Sequence, residues 1–424
     1  MESQLPKGTR DFKPEEKILR NKIVDTLKEI FELYGYAPLE TPILEKFDIL
    51  TSKYAGGSEI LKETFKLRDQ GDRELGLRYD LTVPLARYIA SNPAIKLPFK
   101  RYQIGEVFRD GPTASARYRQ FTQCDTDIIG CKELLADAEI VSLADAAFKK
   151  LNLECTIKIN NRKILNDILN FFGVAEIKNE GAILSLDKLE KFGTAAVKNE
   201  LIEKGINDDT STKIIDTVRV KGSNSEKISQ LKNILKKSDG VREIEELLSY
   251  LELMEINIEL DVSLARGLSY YTGTIFEIFL KDSNVKSSVC AGGRYDKMIG
   301  SLIGSRDFPA VGISFGLDRI YDAVAEKNEI KTKTPAKVYV IPIKALGEGI
   351  NIVKTIRESG INTDIDLMGR NPSKNLEYAN SLGIPYVLFV GEDELRQNKF
   401  KLKDMKSGKE EMLKIDEIVE RLKK

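Results

Sequence analysis

The chain has 424 residues, of which 42% are apolar and 31% are charged, so it is long enough to form more than one domain with a buried core. Its 66 lysines and arginines balance 66 aspartates and glutamates, which excludes a net charge that would draw the whole chain to nucleic acid. The chain contains no histidine, so every mechanism that needs an imidazole base or ligand from the protein is excluded.

The cysteines and the apolar segments indicate the cellular compartment. The four cysteines have no paired metal-ligand spacing, so we expect reduced thiols rather than disulfides or a zinc site at Cys124, Cys131, Cys155 and Cys290. The N-terminus has no apolar signal region, and no apolar run reaches the length of a membrane span. These features predict a cytoplasmic protein without a membrane segment.

The first predicted elements are a helix that begins near Pro14 and a strand over residues 36–44. Gly35 ends the helix, whose apolar residues recur at helical spacing at Leu19, Ile23, Leu27 and Ile30. Pro38 and Pro42 indicate that the strand lies at an edge or a boundary of a sheet, because proline has no N–H to donate.

A strand that gives way to a helix is predicted over residues 77–88. Asp80 and Thr82 are two residues apart, so they share a face if the strand continues that far. The same two residues also fit a helix cap before Val83 and Pro84. The residues alone leave both interpretations open.

Residues 102–108 and 121–129 are predicted to pair as strands on either side of a long loop. The loop carries Arg109, Arg117 and Arg119, and planar guanidinium groups suit phosphate. The second strand carries Gln123, Asp125 and Asp127, with both aspartates on one face. Either a charged hairpin faces water, or a site holds an anion at one end and a cationic or polar group at the other.

The next predicted elements are a helix over residues 133–151 and a strand over residues 155–159. Short helical patterns broken by glycine then dominate residues 161–255, which reads as a helical insertion or a separate helical domain. Strands resume at residues 258–264 and 274–280.

Residues 265–273 read Ala-Arg-Gly-Leu-Ser-Tyr-Tyr-Thr-Gly, and an arginine beside a glycine can approach a phosphate closely. Tyr270 and Tyr271 by themselves fit aromatic residues of a sheet. Residues 310–320 switch from a strand to a helix, and Arg319 lies in an apolar stretch, which favours a specific buried partner.

A polar linker at residues 327–335 precedes a small α/β pattern. Strands are predicted at 337–343, 361–366 and 385–390, helices at 348–358 and 373–382, then a hairpin near Ser407 and Gly408 and a last helix. Without further context this is a generic α/β domain.

Several of these segments resemble the motifs of class II aminoacyl-tRNA synthetases, most closely those of the histidyl-tRNA synthetase family. The motif 2 resemblance rests on Phe108 and Arg109, then Arg117-Tyr118-Arg119-Gln120-Phe121 and Gln123. The sequence RGL-x-YYTG from Arg266 to Gly273 is similar to a motif peculiar to this family and its paralogues. The helix that begins near Pro14, the strand over residues 36–44 and Pro42 together resemble motif 1, which forms a dimer interface. Residues 310–320 resemble motif 3.

The resemblance implies an α/β (α+β) fold with a class II antiparallel-sheet catalytic domain and a small C-terminal α/β anticodon-binding domain. The implied boundaries are residues 1–326 for the catalytic domain, about 161–255 for a helical insertion, 327–335 for the linker and 336–424 for the anticodon-binding domain. It also implies a homodimer.

The implied ligands are ATP with Mg²⁺, L-histidine and the cognate histidine tRNA. The catalytic arginines are Arg109 and Arg266 on the α-phosphate, with Arg117 and Arg319 on the outer phosphates. Asp80 and Thr82 bind the α-ammonium group, and the rest of the histidine site is Gln123, Asp127, Arg266, Tyr270, Tyr271 and Tyr295. Two departures are visible: Gly111 replaces a glutamate that helps bind adenine, leaving backbone groups or Asp110, and Ser269 replaces a common aspartate.

The expected activity is therefore that of a histidine–tRNA ligase. The alternative is a non-catalytic, synthetase-like regulatory subunit of histidine biosynthesis, although such paralogues typically lack the C-terminal domain and motif arginines that this chain keeps. A free-standing nucleic-acid-binding module fits less well, because basic charge is neither large nor clustered. Without a protein imidazole, we expect the pH dependence of histidine binding near neutrality to belong mainly to the ligand.

Overall fold

The computed structural model describes residues 4–51, 62–113, 118–266, 270–304, 307–327 and 332–423. The chain divides into two compact units, one formed by residues 1–10 and 23–326 and the other by residues 11–22 and 327–424. Within the described ranges, none of the helices is long and apolar enough to cross a membrane. Both units combine helices with a sheet, which confirms the mixed α/β fold expected from the sequence.

The first unit contains a large sheet and a small one. Its strands are β1 (Ala37–Pro38), β2 (Leu44–Lys46), β3 (Lys66–Arg68), β4 (Glu74–Leu77), β5 (Phe99–Phe108), β6 (Gln120–Ile129), β7 (Cys155–Asn161), β8 (Glu259–Leu260), β9 (Thr274–Leu280), β10 (Cys290–Arg294) and β11 (Ala310–Gly316). Among described residues, the large sheet has the order β1-β5-β6-β11-β10-β9-β7-β8, and β2-β4-β3 form the small sheet. The large sheet is antiparallel except at its two edges, where β1 pairs with β5 and β8 with β7 in parallel.

The helices up to residue 327 follow the apolar periodicity of the sequence. They are Pro14–Leu33, Phe47–Leu50, Thr82–Ala90, Leu135–Lys150, Arg162–Phe171, Glu176–Leu186, Leu189–Glu203, Asp208–Val218, Asn224–Ile234, Asp239–Leu253, Asp296–Leu302 and Leu317–Lys327. Those from Arg162 to Leu253 lie between β7 and β8, and a capping box of Ser223 and Glu226 begins one of them. The domain boundaries predicted from the sequence stay a prediction.

One face of the large sheet is covered by residues 23–33 of the first long helix and by the helix Leu135–Lys150. The ring of Phe315 on β11 lies 5.5 Å from that of Phe31 and 5.7 Å from that of Phe148. Because side chains alternate along a strand, β6 directs one set of residues to this covered face and the other set to the opposite face. The first set is Cys124, Thr126 and Ile128, and the second is Gln123, Asp125 and Asp127.

Three sequence expectations need correction. Within residues 36–44 only the ends are strand, as β1 and the first residue of β2, because Pro38 and Pro42 cannot donate to a ladder. Residues 258–264 form only the short strand β8, because the chain turns at Asp261, whose carboxylate accepts from the Ser263 amide at 3.0 Å. The strand before Asp80 ends at Leu77, so Asp80 does not share a strand face with Thr82.

The second unit is a five-stranded sheet between helices, counting only the residues that the structure describes. Its strands are β12 (Val338–Ile343), β13 (Thr363–Ile365), β14 (Tyr386–Gly391), β15 (Phe400–Asp404) and β16 (Glu410–Leu413), in the order β13-β12-β14-β15-β16. Its helices after the linker are Leu346–Glu358, Pro372–Ser381, Glu392–Gln397 and Ile415–Lys423. The alternating pattern expected after residue 336 is present, with the helix Glu392–Gln397 in addition.

Candidate active site

Polar residues of neighbouring strands stand side by side on the face of the large sheet opposite the covering helices. Antiparallel pairing places Asp125 of β6 beside Ser314 of β11. Two residues further along β6, Asp127 lies between Gly312 of β11 and Arg101 of β5. The sheet therefore forms the floor of a polar site.

Two glycines make room for functional side chains on this floor. A Cβ atom at Gly312 would lie 1.9 Å from Oδ1 of Asp127, and one at Gly293 would lie 2.8 Å from the ring of Tyr271. Any side chain at either position would collide with the group above it. These strands can thus carry a carboxylate and an aromatic ring directly over the backbone.

A cavity of about 90 Å³, here called the inner cavity, lies above this floor. It brings together every described residue predicted for the amino-acid site, namely Asp80, Thr82, Gln123, Asp127, Arg266, Tyr270, Tyr271 and Tyr295. These residues come from segments separated by up to about two hundred positions. Arg109 and Asp125 also line this cavity.

Asp127 is the most firmly held acceptor of the inner cavity. Its Oδ2 atom lies 2.7 Å from Nη2 of the buried Arg101, and the Tyr295 hydroxyl donates to its Oδ1 atom at 2.5 Å. Burial raises the pKa of Asp127, and the Arg101 charge acts in the opposite direction. Since Tyr295 and Arg101 fix this carboxyl group, Asp127 presents a preorganised acceptor to a ligand.

Asp80 lies two residues before the first residue of the helix Thr82–Ala90 and bonds the first backbone N–H groups of that helix. Its Oδ1 atom accepts from the backbone N–H groups of Thr82 at 3.1 Å and Val83 at 2.9 Å. The cap interpretation is therefore correct for Asp80, while Thr82 is the first residue of the helix. Asp80 also lines the inner cavity, so capping fixes the position of a carboxylate that faces a ligand.

Three tyrosines form the aromatic wall of the inner cavity. The ring of Tyr270 lies 4.8 Å from that of Tyr271 and 6.1 Å from that of Tyr295. Burial raises the pKa of all three hydroxyl groups above their ordinary value. At neutral pH they are therefore uncharged hydrogen-bond donors.

A second cavity of about 360 Å³, here called the outer cavity, adjoins the inner one. Arg109, Gln123, Arg266, Ala291 and Ser314 line both cavities. Arg319 lines the outer cavity alone, and its Nη1 atom donates to the Ser288 carbonyl at 2.6 Å.

Three guanidinium groups converge on the outer cavity. Burial lowers the pKa of Arg319, and the nearby charges of Arg266 and Arg109 lower it further. Arg109 stacks over the rings of Tyr79 at 4.1 Å and Phe121 at 4.9 Å, which holds its planar group in place. Such clustered like charges are stabilised by an anionic ligand, and polyphosphate matches them.

Arg266 is held by Glu277 of the large sheet and by contacts from residues between β7 and β8, here called the helical segment. Its backbone is left-handed, with φ of 56°, and its Nη1 atom donates to Glu277. The carboxylate of Asp187, in the helical segment, accepts from the backbone N–H of Arg266. Arg162 in the same segment donates from Nη1 to the Ala265 carbonyl at 3.4 Å. The helical segment thus contacts the chain immediately around Arg266.

The two departures from the family motifs have different outcomes. A Cβ atom at Gly111 would lie 2.7 Å from Oε1 of Glu63, so a carboxylate from another segment occupies the space beside this glycine. The side chain of Asp110 is paired with Arg119 at 3.3 Å. Ser269 and the predicted phosphate ligand Arg117 lie outside the described residues.

Comparisons with known proteins agree along nearly the whole chain. Residues 8–320 match the family model for histidyl-tRNA synthetase, and residues 337–424 match that for the anticodon-binding domain. The chain belongs to the histidyl-tRNA synthetase family.

Relatives in this family cover the full chain. Histidine–tRNA ligase 1 of Bacillus cereus is 45% identical over 97% of both chains, and histidine–tRNA ligase 2 of Shouchella clausii is 40% identical over 96% of this chain and 97% of its own. The crystal structure of histidyl-tRNA synthetase from Nostoc sp. PCC 7120 superposes with a TM-score of 0.88 at 32% identity, covering 100% of this chain and 99% of that one.

Three residues that contribute to this synthetase site escaped the sequence interpretation as site residues: Arg101, Glu277 and Ser314. Asp125 was noted on the face of the strand but was given no role. Arg101 and Ser314 are cross-strand neighbours of Asp127 and Asp125, so the strand register would have revealed them. Glu277 lies on β9, two strands from Ser314 on β11, and its side chain pairs with Arg266. Local sequence carries no signal for that contact.

Proposed function

We propose that this chain activates L-histidine with ATP and transfers it to the 3′ end of its cognate tRNA. The observation that carries the proposal is the junction of the two cavities. An acceptor and three tyrosines line the inner cavity, and three arginines converge on the outer cavity that adjoins it. This arrangement fits an aromatic amino acid at one end and a nucleoside triphosphate at the other.

In the first step, a carboxylate oxygen of histidine attacks the α-phosphorus of ATP. The bond to the β-phosphate oxygen breaks, and pyrophosphate leaves as histidyl-adenylate forms. No protein group has to exchange a proton, so positioning and charge neutralisation supply the catalysis. In the second step, the terminal hydroxyl of the tRNA attacks the activated carbonyl group and AMP leaves.

We assign the arginines by their position along the two cavities. Arg109 and Arg266 line both cavities, so they would contact the α-phosphate where the amino acid and ATP meet. Arg319 lines only the outer cavity and would contact the γ-phosphate. Arg117 keeps its assignment to the outer phosphates on the resemblance alone.

The amino-acid site would bind the two ends of histidine separately. Asp127 would accept a hydrogen bond from the imidazole ring, in a pocket shaped by Tyr270, Tyr271 and Tyr295. Asp80 and Thr82 would bind the α-ammonium group, and Gln123 would contact the same end of the substrate. These roles rest on the family resemblance and on the positions of the side chains around one cavity.

Mg²⁺ would enter with the phosphates of ATP, as is common for this ion. Among the described residues, no group of three acidic or thiol side chains is arranged to hold a metal. When bound, the ion would neutralise charge on the outer phosphates.

The remaining features concern partners and location. The exposed apolar residues Leu33, Ile43 and Leu44, near the segment that resembles motif 1, support a homodimer. All four cysteines lie in the described ranges and none of them is in a disulfide, which supports a reducing, cytoplasmic setting. The second unit, which matches the anticodon-binding domain, would bind the cognate histidine tRNA.

Pyrophosphate exchange into ATP tests the proposal directly. Purified protein should exchange labelled pyrophosphate only when L-histidine is added, and it should then charge the cognate tRNA. The other nineteen amino acids are the control. A chain that binds histidine without exchange would be the non-catalytic regulator, and a chain that does neither would contradict the proposal.

A further inference from the structure

One carboxyl group of the inner cavity has no assigned role. Asp125 is only 3% exposed, and it lines the inner cavity together with Asp80 and Asp127. Its Oδ1 atom is buried and has no hydrogen-bond partner among the residues that the structure describes. A buried acceptor without a partner is costly unless a ligand supplies the donor.

A hydrogen bond from Ser314 holds the Asp125 carboxyl group in the inner cavity. Nε2 of Gln123 donates to Oγ of Ser314 at 2.7 Å, which leaves the Ser314 hydroxyl proton for the Asp125 carboxyl group. Oε1 of Gln123 is also buried without a partner in the described part of the chain. Two acceptors on adjacent positions of the same strand face are therefore available to one donor group.

The position of Asp125 distinguishes it from Asp127. Asp127 is already bound by Arg101 and Tyr295. Asp125 lies two residues before it on β6, about 7 Å away along the strand. Asp80 lines the same cavity, and its charge contributes to raising the pKa of Asp125, so the two carboxyl groups lie within electrostatic range of one ligand. An ammonium group between them would satisfy both, because it carries a positive charge and three donors.

We propose that Asp125 is a specificity-determining residue that accepts a hydrogen bond from the α-ammonium group of the substrate, together with Asp80. This inference rests on the proposed function, since it takes histidine as the ligand. It adds a second carboxylate to the end of the site assigned to the ammonium group. It also gives each of the two aspartates on this face of β6 a role. Asp127 would bind the imidazole ring, and Asp125 would bind the α-ammonium group.

The test compares two ligands that share the imidazole ring. L-histidine has the α-ammonium group, and 3-(imidazol-4-yl)propionate lacks it. We expect Asp125→Asn to weaken L-histidine binding about 10- to 100-fold, the loss typical of a charge-assisted hydrogen bond. Binding of the propionate should change by less than about threefold, because its ring contacts are untouched.

Thr126→Val is the matched control. Thr126 is adjacent in β6, points to the covered face of the sheet, and its Oγ1 atom is a buried atom without a hydrogen-bond partner in the described ranges. Valine has nearly the same shape, so the affinities for both ligands should stay within about twofold of the parent protein. Calorimetric titration of all three proteins without ATP gives the affinities.

Each outcome decides the proposal. Equal losses for both ligands would mean that Asp125 contacts the ring or only shapes the site, and an unchanged histidine affinity would mean that it contacts neither. An Asp125→Asn chain that fails to fold would also overturn the proposal, because the role would then be structural. Failure of the proposed function is distinct, since the parent protein would then show no histidine-dependent pyrophosphate exchange.

Discussion

Arg101 and Asp127 form an ion pair beneath the inner cavity, with 2.7 Å between Nη2 and Oδ2 and side chains that are 0% and 5% exposed. Neither residue can be changed alone without leaving a buried charge unpaired. Because the pair supports the acceptor proposed for the imidazole ring, stability and ligand binding are linked at this point of the sheet.

Arg101→Met should therefore lower the free energy of unfolding by about 3–5 kcal/mol and raise the KM for histidine. The double variant Arg101→Met with Asp127→Asn should lose less stability than the sum of the single changes, because no charge is left unpaired. Urea denaturation of the four proteins measures this coupling. Strictly additive losses would show that the ion pair contributes nothing to the fold.

Arg266→Ala should reduce histidine-dependent pyrophosphate exchange by about 100- to 1,000-fold. The arginine lines both cavities, so its charge is available where negative charge develops on the α-phosphate. The melting temperature should stay close to that of the parent protein. Arg242→Ala removes an arginine whose side chain is 67% exposed and serves as the control. Near-normal exchange in Arg266→Ala would refute the assignment.

Gly312→Ala should impair histidine binding without touching the ATP site. Its Cβ atom would lie 1.9 Å from Oδ1 of Asp127, so the carboxylate would have to move. We expect the free energy of unfolding to fall by about 1–3 kcal/mol and kcat/KM for histidine to fall at least about tenfold. Gly347→Ala, at a position with nothing within 4 Å of the added atom, is the control. Unchanged kinetics in Gly312→Ala would contradict the placement of Asp127.

The Asp125 carboxyl group should leave a signature in the pH dependence of stability. Burial raises its pKa to about 7, assisted by Asp127 and Asp80 and opposed by Arg101 and Ser314, and the charge of Arg78 also couples to it. In the unfolded chain the group loses its proton near pH 4. The folded state therefore binds more protons between about pH 4 and 7, and Asp125 makes the protein less stable as the pH rises through this window.

Asp125→Asn removes this titration and keeps the neighbouring charges. The free energy of unfolding of Asp125→Asn minus that of the parent protein should grow from pH 5 to pH 7 and stay level above pH 7. Urea denaturation of both proteins at pH 5, 6, 7 and 8 gives the difference directly. A difference that does not change with pH would show that Asp125 does not titrate in this range.

The same residue bears on an expectation drawn from the composition, which stays a prediction. A chain without histidine leaves the ligand as the main group that titrates near neutrality. Asp125 adds a protein group to that window, because burial moves a carboxyl pKa by several units when solvent is excluded. The pH dependence of histidine binding therefore has to be measured on Asp125→Asn as well as on the parent protein.

Much of this protein was determined by the sequence itself. Apolar-rich segments on either side of a loop predicted the β5 and β6 hairpin, and apolar spacing predicted the long helices. These signals are local, because each depends on residues within one element and its turn. The resemblance to family motifs assigned Arg109, Arg266 and Arg319 and implied the α/β fold, and most residues of the inner cavity were named in this way.

Only the tertiary structure decided which partners those residues have. Arg101 reaches Asp127, Glu277 pairs with Arg266, and Glu63 lies beside Gly111 because strands and loops distant in sequence are brought together by the sheet. Proline shortened the predicted edge strand, and the turn at Asp261 shortened another. The pKa of Asp125 depends on burial, on the charges of Arg101 and Asp80 from two other segments, and on a hydrogen bond from Ser314. No local pattern records such distances, because burial is a property of the folded chain as a whole.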